Sequence, residues 1–461
     1  MPSTSAIILA AGKGTRMKSA TAKVLHETAG RPLLAWPMAA AQNAGVNRIV
    51  IVAGHQAEQV QQCFSHREGV TIALQKEQLG TGHAVACALP SLADQQDGTV
   101  LLLCGDTPLL TAETVQNLVA QHNNSSVAIT VLTAKIPDPF GYGRIVRDGN
   151  GQVLRIVEQK DATDAELAIN EINSGIYCIN LAFLREYTGK ISNDNAQGEY
   201  YLTDLVALAV ANKLGCNAML TDDYHEVMGV NDRIQLAEAA SVLRRRINKK
   251  LMLSGVTLID PEHTYIDADV TIGCDTVIWP GCVLRGNTVI GDNCLLESNV
   301  QVVDCQIGQR VHLKNSSVLE ESKLADEVVV GPMAHLRPST ELAEQVKIGN
   351  FVETKKIKMG KNSKASHLTY LGDATVGSDV NIGCGTITCN YDGKNKYQTI
   401  IGDRVFIGSD VQLVAPVKVG SGALVAAGTT VTVDVPENAL SLSRTPQLNK
   451  EGWCLKKRGN D

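Results

Sequence analysis

The sequence predicts an α/β protein with two unlike halves: a doubly wound α/β domain over residues 1–233 and a parallel β-helix over residues 255–461, joined by a helix at 234–254. Three observations predict this. Apolar runs alternate with amphipathic segments through the first half. Aliphatic residues recur every six positions through the second. Aromatic residues make up only 4% of the chain, so much of its core must be small aliphatic side chains. A length of 461 residues suits two to four domains at roughly 100–200 residues each.

In the first half, strand-like runs fall at Ala6–Ala10, Arg48–Val52, Val70–Leu74, Thr99–Leu103 and Ser126–Leu132. They are apolar throughout, as parallel strands buried on both faces are. Helix-like segments near Ala57–Cys63, Gly82–Leu89 and Ala112–Gln121 separate them. Such alternation argues for a doubly wound sheet, whose ligands sit at the carboxyl ends of the strands. Further on, Leu236, Ala240, Leu243, Ile247 and Leu251 share one helical stripe. Arg244, Arg245, Arg246, Lys249 and Lys250 fall mostly off it. This basic run reads as a solvated face or as a nucleic-acid contact. The solvated face is the plainer reading, and no nucleic-acid partner is expected.

From about residue 255 the period becomes six. Ile266, Ile272, Ile278, Leu284, Ile290, Leu296 and Val302 keep it without a break; Val376 and Ile382, then Ile401, Ile407, Leu413, Val419, Val425 and Val431, resume it. Small or β-branched residues stand two places earlier (Val270, Thr276, Cys282, Thr288, Cys294, Val300), and glycine often follows. Hexapeptide repeats imply stacked coils with the aliphatic residues pointing inward. Two interruptions, Leu336–Lys347 and Asn390–Gln398, are expected to project as loops, often on the binding face.

Composition closes several routes. The formal charge is −6, so an acidic substrate needs locally placed cations. The N-terminus has no basic segment before its short apolar run, and no apolar run reaches the ~18 residues of a membrane span. The expectation is a cytoplasmic protein with no stable membrane insertion, its twelve cysteines reduced and mostly buried as small apolar residues. No paired CxxC motifs announce a zinc site.

Three segments carry chemistry. Leu9-Ala-Ala-Gly-Lys-Gly-Thr-Arg-Met17 follows the first strand. It reads as a glycine loop whose N–H groups approach a phosphate, with Lys13, Arg16 and Lys23 adding charge, or as an ordinary strand–helix turn. Asp106, in Leu101-Leu-Leu-Cys-Gly-Asp-Thr-Pro108, suits a Mg²⁺ held against phosphate oxygens, or a turn before proline. Between Arg337 and Lys364 seven cations face three glutamates, beside Ser366-His-Leu-Thr-Tyr-Leu-Gly-Asp373. The cations read as an anion site or as a solvated face, and His367 as a general base or a structural histidine.

LAAGKGTRM with its downstream lysine, and LCGDTP, resemble the sugar-nucleotide pyrophosphorylases. Gln75, Leu79-Gly-Thr-Gly-His83, Gly141-Tyr-Gly-Arg144, Ile156-Val-Glu-Gln-Lys160, Glu171-Ile-Asn-Ser-Gly175, Gln197-Gly-Glu-Tyr-Tyr-Leu-Thr-Asp204 and Gly229-Val-Asn-Asp-Arg233 narrow the match. With the hexapeptide half, essentially the whole chain is similar to the bacterial bifunctional N-acetylglucosamine-1-phosphate uridyltransferases / glucosamine-1-phosphate N-acetyltransferases. The resemblance implies a Rossmann-like nucleotidyltransferase domain, a left-handed β-helix and a homotrimer with its acetyl site between subunits. It implies acetyl transfer from acetyl-CoA to glucosamine-1-phosphate, then Mg²⁺-dependent uridylyl transfer from UTP to N-acetylglucosamine-1-phosphate. The product would supply peptidoglycan and lipopolysaccharide synthesis.

Roles follow by position in the resembling motifs. The backbone of Leu9, Ala10, Ala11 and Gly12, with Lys23, would contact the nucleotide, and Arg16 would stabilise the transferring phosphoryl group. Gln75, Gly80 and Thr81 would read uracil. Cys104 and Gly105 would flank the ligand. Gly143, Glu158 and Asn173 would hold the sugar, and Asp106 and Asn231 would bind Mg²⁺. In the second half His367 would deprotonate the sugar amine, while Arg337 and Lys355 would hold the sugar phosphate. Tyr370, Asn381, Asn390 and Tyr391 would line the sugar and acyl pocket, the last two toward acetyl-CoA. Cys384, Ser409, Ala427 and Arg444 would contact coenzyme A, and Lys456-Lys-Arg458 would either reach its phosphates or be a solvated tail.

The chain departs from the family's usual residues at Ala22 (for Pro), Cys104 (for an aromatic) and Cys384 (for Ala). Two other readings remain open on the sequence: a single-activity pyrophosphorylase with a structural β-helix, and a non-catalytic scaffold.

Overall fold

The computed structural model describes residues 3–458. The chain divides into two compact units, one ending at Leu243 and the other beginning at Arg244.

The first unit is built on a nine-stranded sheet. Its main path runs Cys216–Leu220, Ile129–Lys135, Glu171–Asn180, Thr99–Cys104, Thr4–Ala10, Arg48–Ala53 and Val70–Leu74. Adjacent strands are parallel except around Glu171–Asn180, which is antiparallel to both neighbours. Alternation of side chains explains the apolar runs: Ile7, Val50 and Val52 enter one buried cluster, and Ala6, Ile8, Ile49 and Ile51 enter another on the opposite face. The expected strand at Ser126–Leu132 forms three residues later, at Ile129–Lys135. The sheet is therefore mixed. The antiparallel strand is not among the expected ones, because Glu171, Asn173, Ser174 and Gly175 break its apolar run.

The helix Arg233–Leu253 crosses the division between the units. Ala239 and Leu243 pack with Leu33, Leu109 and Val230, while Ile247 and Leu251 pack against the core of the β-helix. Its basic run is not uniformly solvated: the Arg244 guanidinium lies 5.0 Å from the ring centroid of Tyr265 and 3.8 Å from Glu262.

The second unit is a left-handed β-helix in which most strands pair in parallel with the third strand further on, so each coil has three faces. The repeat residues point inward: Ile266, Ile278, Leu284, Ile290, Leu296 and Val302 are buried, and Ile272 packs at the margin. The residues two places earlier are buried too. Thr276 shows why a polar one is tolerated there, since its hydroxyl donates to Gly291 O and accepts from Cys294 N. Burial pushes the Cys282 thiol up to about 11, and all twelve cysteines are free.

The expected interruption at Leu336–Lys347 is not one. Ile307, Leu313, Leu319, Leu324, Val330, Leu336, Leu342 and Ile348 continue the inward column, all buried. Val283 pairs with Gln301, eighteen residues on, but Gln301 pairs with Val318, only seventeen on. One-residue deletions after Val302 and after Leu319 shift the frame while the coils keep stacking. The Asn390–Gln398 segment is a true insertion, mostly exposed and closed by a bridge between Tyr391 and Lys396.

Candidate active sites

In the first unit a cavity of about 450 Å³ opens at the carboxyl ends of the strands. Leu9, Ala10, Ala11, Gly12, Lys13 and Lys23 line one part of it, and Gln75, Gly80, Thr81, Cys104 and Asp106 the rest. Strand pairing accounts for this convergence, because Leu9 stands opposite Cys104 in register and Gly105 N donates to Leu9 O at 2.9 Å. Gly14 is left-handed (φ 59°), and a Cβ there would lie 2.6 Å from the Cβ of Lys23. Lacking a side chain at that point, the loop folds onto Lys23.

The Lys23 ammonium donates to Asp106 Oδ2 through a short hydrogen bond and to Asn231 Oδ1 at 3.2 Å. A carboxylate and an amide oxygen thus converge on one positive charge. This is the hard-oxygen donor set of a Mg²⁺ site completed by phosphate oxygens, so the residues fit the group. Among the described residues no cluster of three or more His, Cys, Asp or Glu could hold a metal by itself.

Beyond the cavity lining, Asn173 N donates to Gly143 O at 2.9 Å, and Asn173 Oδ1 accepts from Tyr177 at 2.8 Å and from Gly175 N at 3.0 Å. Glu158 accepts from the Thr203 hydroxyl at 3.1 Å; burial, and then Asp161, Asp204 and Glu199, raise its pKa. Burial drives the Cys104 thiol up to about 12, which keeps it neutral. Arg16 is exposed on the turn Thr15–Met17 and does not line the cavity.

In the second unit the strands Lys347–Met359 and Lys364–Val376 run side by side around two corners. Gly349 makes the first corner possible, because a Cβ there would lie 1.8 Å from Ser366 O. Register then builds a column. Asn350 pairs with His367; Ala365 pairs with Ile382, Ile382 with Ile407 and Ile407 with Val425, so Cys384, Ser409 and Ala427 occupy the His367 position in the next three coils. Arg444 folds back onto this column, donating to Ala427 O at 2.9 and 3.1 Å.

Arg337 and Lys355 stack at the far end of the face that begins at His367, with Tyr370 between the two corners. Lys396, and then Arg337, hold the Lys355 ammonium below its ordinary pKa. Glu353 accepts from Arg337 at 2.8 Å. Asn390 Nδ2 donates to Asp373 at 2.6 Å, which puts it at the cationic end, while the exposed Tyr391 donates to Gly393 O within the insertion at 2.5 Å. Asn381 pairs with Lys364 and Phe406, on the adjacent face of the coil. Within one chain it is not gathered with Arg337 and Lys355. The Arg458 side chain lies outside the described residues.

Three family models match: the MobA-like NTP transferase domain over residues 6–162, the GMPPB C-terminal domain over 266–362 and the bacterial transferase hexapeptide over 398–432. Proteins named "Bifunctional protein GlmU" match over the full length: 67% identity in Trichlorobacter lovleyi (100% of both chains), 61% in Pelobacter propionicus (99% of both) and 55% in Geobacter sulfurreducens (99% of this chain, 100% of that one). The chain belongs to the GlmU family. It is a bifunctional transferase, combining glucosamine-1-phosphate acetyltransferase and N-acetylglucosamine-1-phosphate uridyltransferase activities. Its substrates are small molecules, and no helix among the described residues is long and apolar enough to cross a membrane.

Sequence reasoning did not single out several GlmU residues that the geometry brings to these sites. Gln78 and Glu199 line the nucleotide cavity, Lys396 reaches Lys355 from the insertion, and Asn350 lies 3.0 Å from His367. The coil register carries the signal for Asn350, seventeen residues before His367, and the one-residue deletions hid that register.

Proposed function

We propose that the two reactions of this GlmU-family chain are carried by two separate sets of residues: Lys23, Asp106 and Asn231 with the glycine loop for uridylyl transfer, and the His367 column with Arg337 and Lys355 for acetyl transfer. The observation that carries the reading is the convergence of Asp106 and Asn231 oxygens on a single cation inside a cavity floored by the loop backbone.

At the uridylyl site the 1-phosphate oxygen of N-acetylglucosamine-1-phosphate attacks the α-phosphorus of UTP, and pyrophosphate leaves. No protein nucleophile is required. The chain's own work is positioning and neutralising charge. Loop N–H groups and Lys13 hold the triphosphate, Gln75, Gly80 and Thr81 the base, and Gly143, Glu158 and Asn173 the sugar. Arg16, exposed on its turn, is the cation that would stabilise the transferring phosphoryl group. Mg²⁺ held by Asp106 and Asn231 would neutralise phosphate charge, with Lys23 moving to a phosphate oxygen.

At the acetyl site His367 Nε2 takes a proton from the sugar amine. The freed nitrogen attacks the thioester carbonyl; the new N–C bond forms, the C–S bond breaks, and the proton passes to the departing coenzyme A thiolate. Arg337, Lys355 and Lys396 supply the charge that a sugar phosphate needs. Cys384, Ser409, Ala427 and Arg444 form the coenzyme A track, with Tyr370, Asn381, Asn390 and Tyr391 around the sugar and acyl group.

The active form is a homotrimer in the cytoplasm. Met333, Phe351 and Leu368 support this: they occupy one position in three successive coils, each at positive φ and each about half exposed (49, 55 and 62%). A stacked, exposed apolar column calls for a partner surface, and it adjoins Asn350 and His367. A neighbouring copy there would complete the acetyl site and bring Asn381 of one chain toward the cations of another.

The test is reciprocal. Asp106→Ala abolishes uridylyl transfer and leaves acetylation intact; His367→Ala does the reverse. Loss of both activities in either folded variant overturns the assignment. Acetylation that survives His367→Ala would favour a β-helix used only for assembly.

A further inference from the structure

Gln75 is almost fully buried (3% exposed) in the lining of the nucleotide cavity. Its amide nitrogen donates to Gly80 O at 3.0 Å and lies 3.2 Å from His83 Nδ1. A backbone carbonyl only accepts, so the atom facing Gly80 must be the nitrogen. An amide nitrogen does not accept hydrogen bonds, so His83 Nδ1 must be the acceptor. His83 is therefore neutral, with its proton on Nε2, 3.8 Å from Cys87 Sγ. Both amide hydrogens are committed, and the remaining polar atom of Gln75 is its carbonyl oxygen.

We propose that His83 is a positioning residue for base selection: its Nδ1, together with Gly80 O, locks the Gln75 amide so that only an acceptor faces the base. The inference rests on the reading of Gln75 as a base contact. A free glutamine can turn over and offer either an acceptor or a donor. A locked one cannot. Its oxygen accepts from the N3–H of uracil and opposes the lone pair on N3 of cytosine. Sites built to pair with one hydrogen-bond pattern reject the inverted pattern because a buried polar group is left unpaired. His83 is not in the cavity lining, so its effect passes through Gln75.

The test compares uridylyl and cytidylyl transfer by the full-length protein, as the ratio of kcat/KM for UTP to that for CTP. His83→Phe keeps the ring and removes the acceptor, and the ratio falls about tenfold or more. His83→Asn returns an oxygen to the Nδ1 position and restores the ratio. His83→Gln carries its amide at the Nε2 position and does not. An unchanged ratio in His83→Phe, or equal ratios in the Asn and Gln variants, overturns the lock. Should the Phe variant fail to fold, the Asn–Gln pair decides alone. Gln75→Ala separates the two readings: a collapsed ratio there with an unchanged ratio in the His83 variants sinks only the lock, whereas an unchanged ratio in Gln75→Ala sinks the base contact itself.

Discussion

Nδ1 of His367 lies 3.0 Å from Oδ1 of Asn350, which stands opposite it in register. The oxygen accepts, so Nδ1 carries the hydrogen and the Nε2 lone pair is left to act as base. Asn350→Ala is expected to lower kcat for acetyl transfer about tenfold to a hundredfold, with KM for both substrates little changed, because it releases the tautomer and not the ligands. Release of coenzyme A thiol measures it. A kcat within twofold of the parent would remove Asn350 from the site.

The uridylyl site couples a lysine to the metal position. Lys23 holds the Asp106 carboxylate and the Asn231 amide oxygen. Chelating divalent cations should abolish uridylyl transfer and leave acetyl transfer unchanged in the same sample. Lys23→Ala should cost uridylyl transfer at least about a hundredfold even at saturating Mg²⁺, since a charge-assisted contact to phosphate is lost. Full rescue of the variant by added Mg²⁺ would mean that Lys23 makes no phosphate contact of its own.

Much of this was legible in the sequence. Unbroken six-residue spacing from Ile266 to Val302 named the inward column, and the strand Val70–Leu74 falls where its apolar run begins and ends. Legibility failed where a strand lacks an apolar run. The Glu171–Asn180 strand is central and antiparallel, but Glu171, Asn173, Ser174 and Gly175 interrupt its first half, so it is not among the expected strands. It failed again where a single deleted residue after Val302 broke a period without breaking the coil. Asn350 and Lys396 were missed because their partners are not local: coil stacking joins Asn350 to His367, and the insertion carries Lys396 to Lys355.

Glu158 carries a cost of function. Burial raises its pKa first, and Asp161, Asp204 and Glu199 raise it further, against the hydrogen bond from Thr203. A carboxyl whose folded pKa exceeds its unfolded value binds its proton more tightly in the native state. Ionising it therefore destabilises the fold; the penalty is absent below the ordinary carboxylate pKa, develops up to the raised folded value and is full above it. Glu158→Gln should raise Tm at pH 7 by about 2–4 °C. That gain should shrink to nothing in acid, while KM for the sugar phosphate rises. A Tm gain that persists undiminished at pH 4 would point to packing in place of charge.

Assembly offers a last check, because the same corner bears the Met333–Phe351–Leu368 column and the Asn350–His367 pair. Phe351 is 55% exposed at φ 56°, a backbone region where bulky side chains are strained. An apolar ring held there at such a cost is expected to be covered by another copy of the chain. Phe351→Asp should shift the oligomer toward monomer in sedimentation and reduce acetyl transfer at least about tenfold, since buried aromatic anchors dominate interfaces. Uridylyl transfer, built from residues of the first unit, should stay within twofold of the parent. A variant that remains fully assembled, with its acetyl transfer unchanged, would move the interface to another face of the coil.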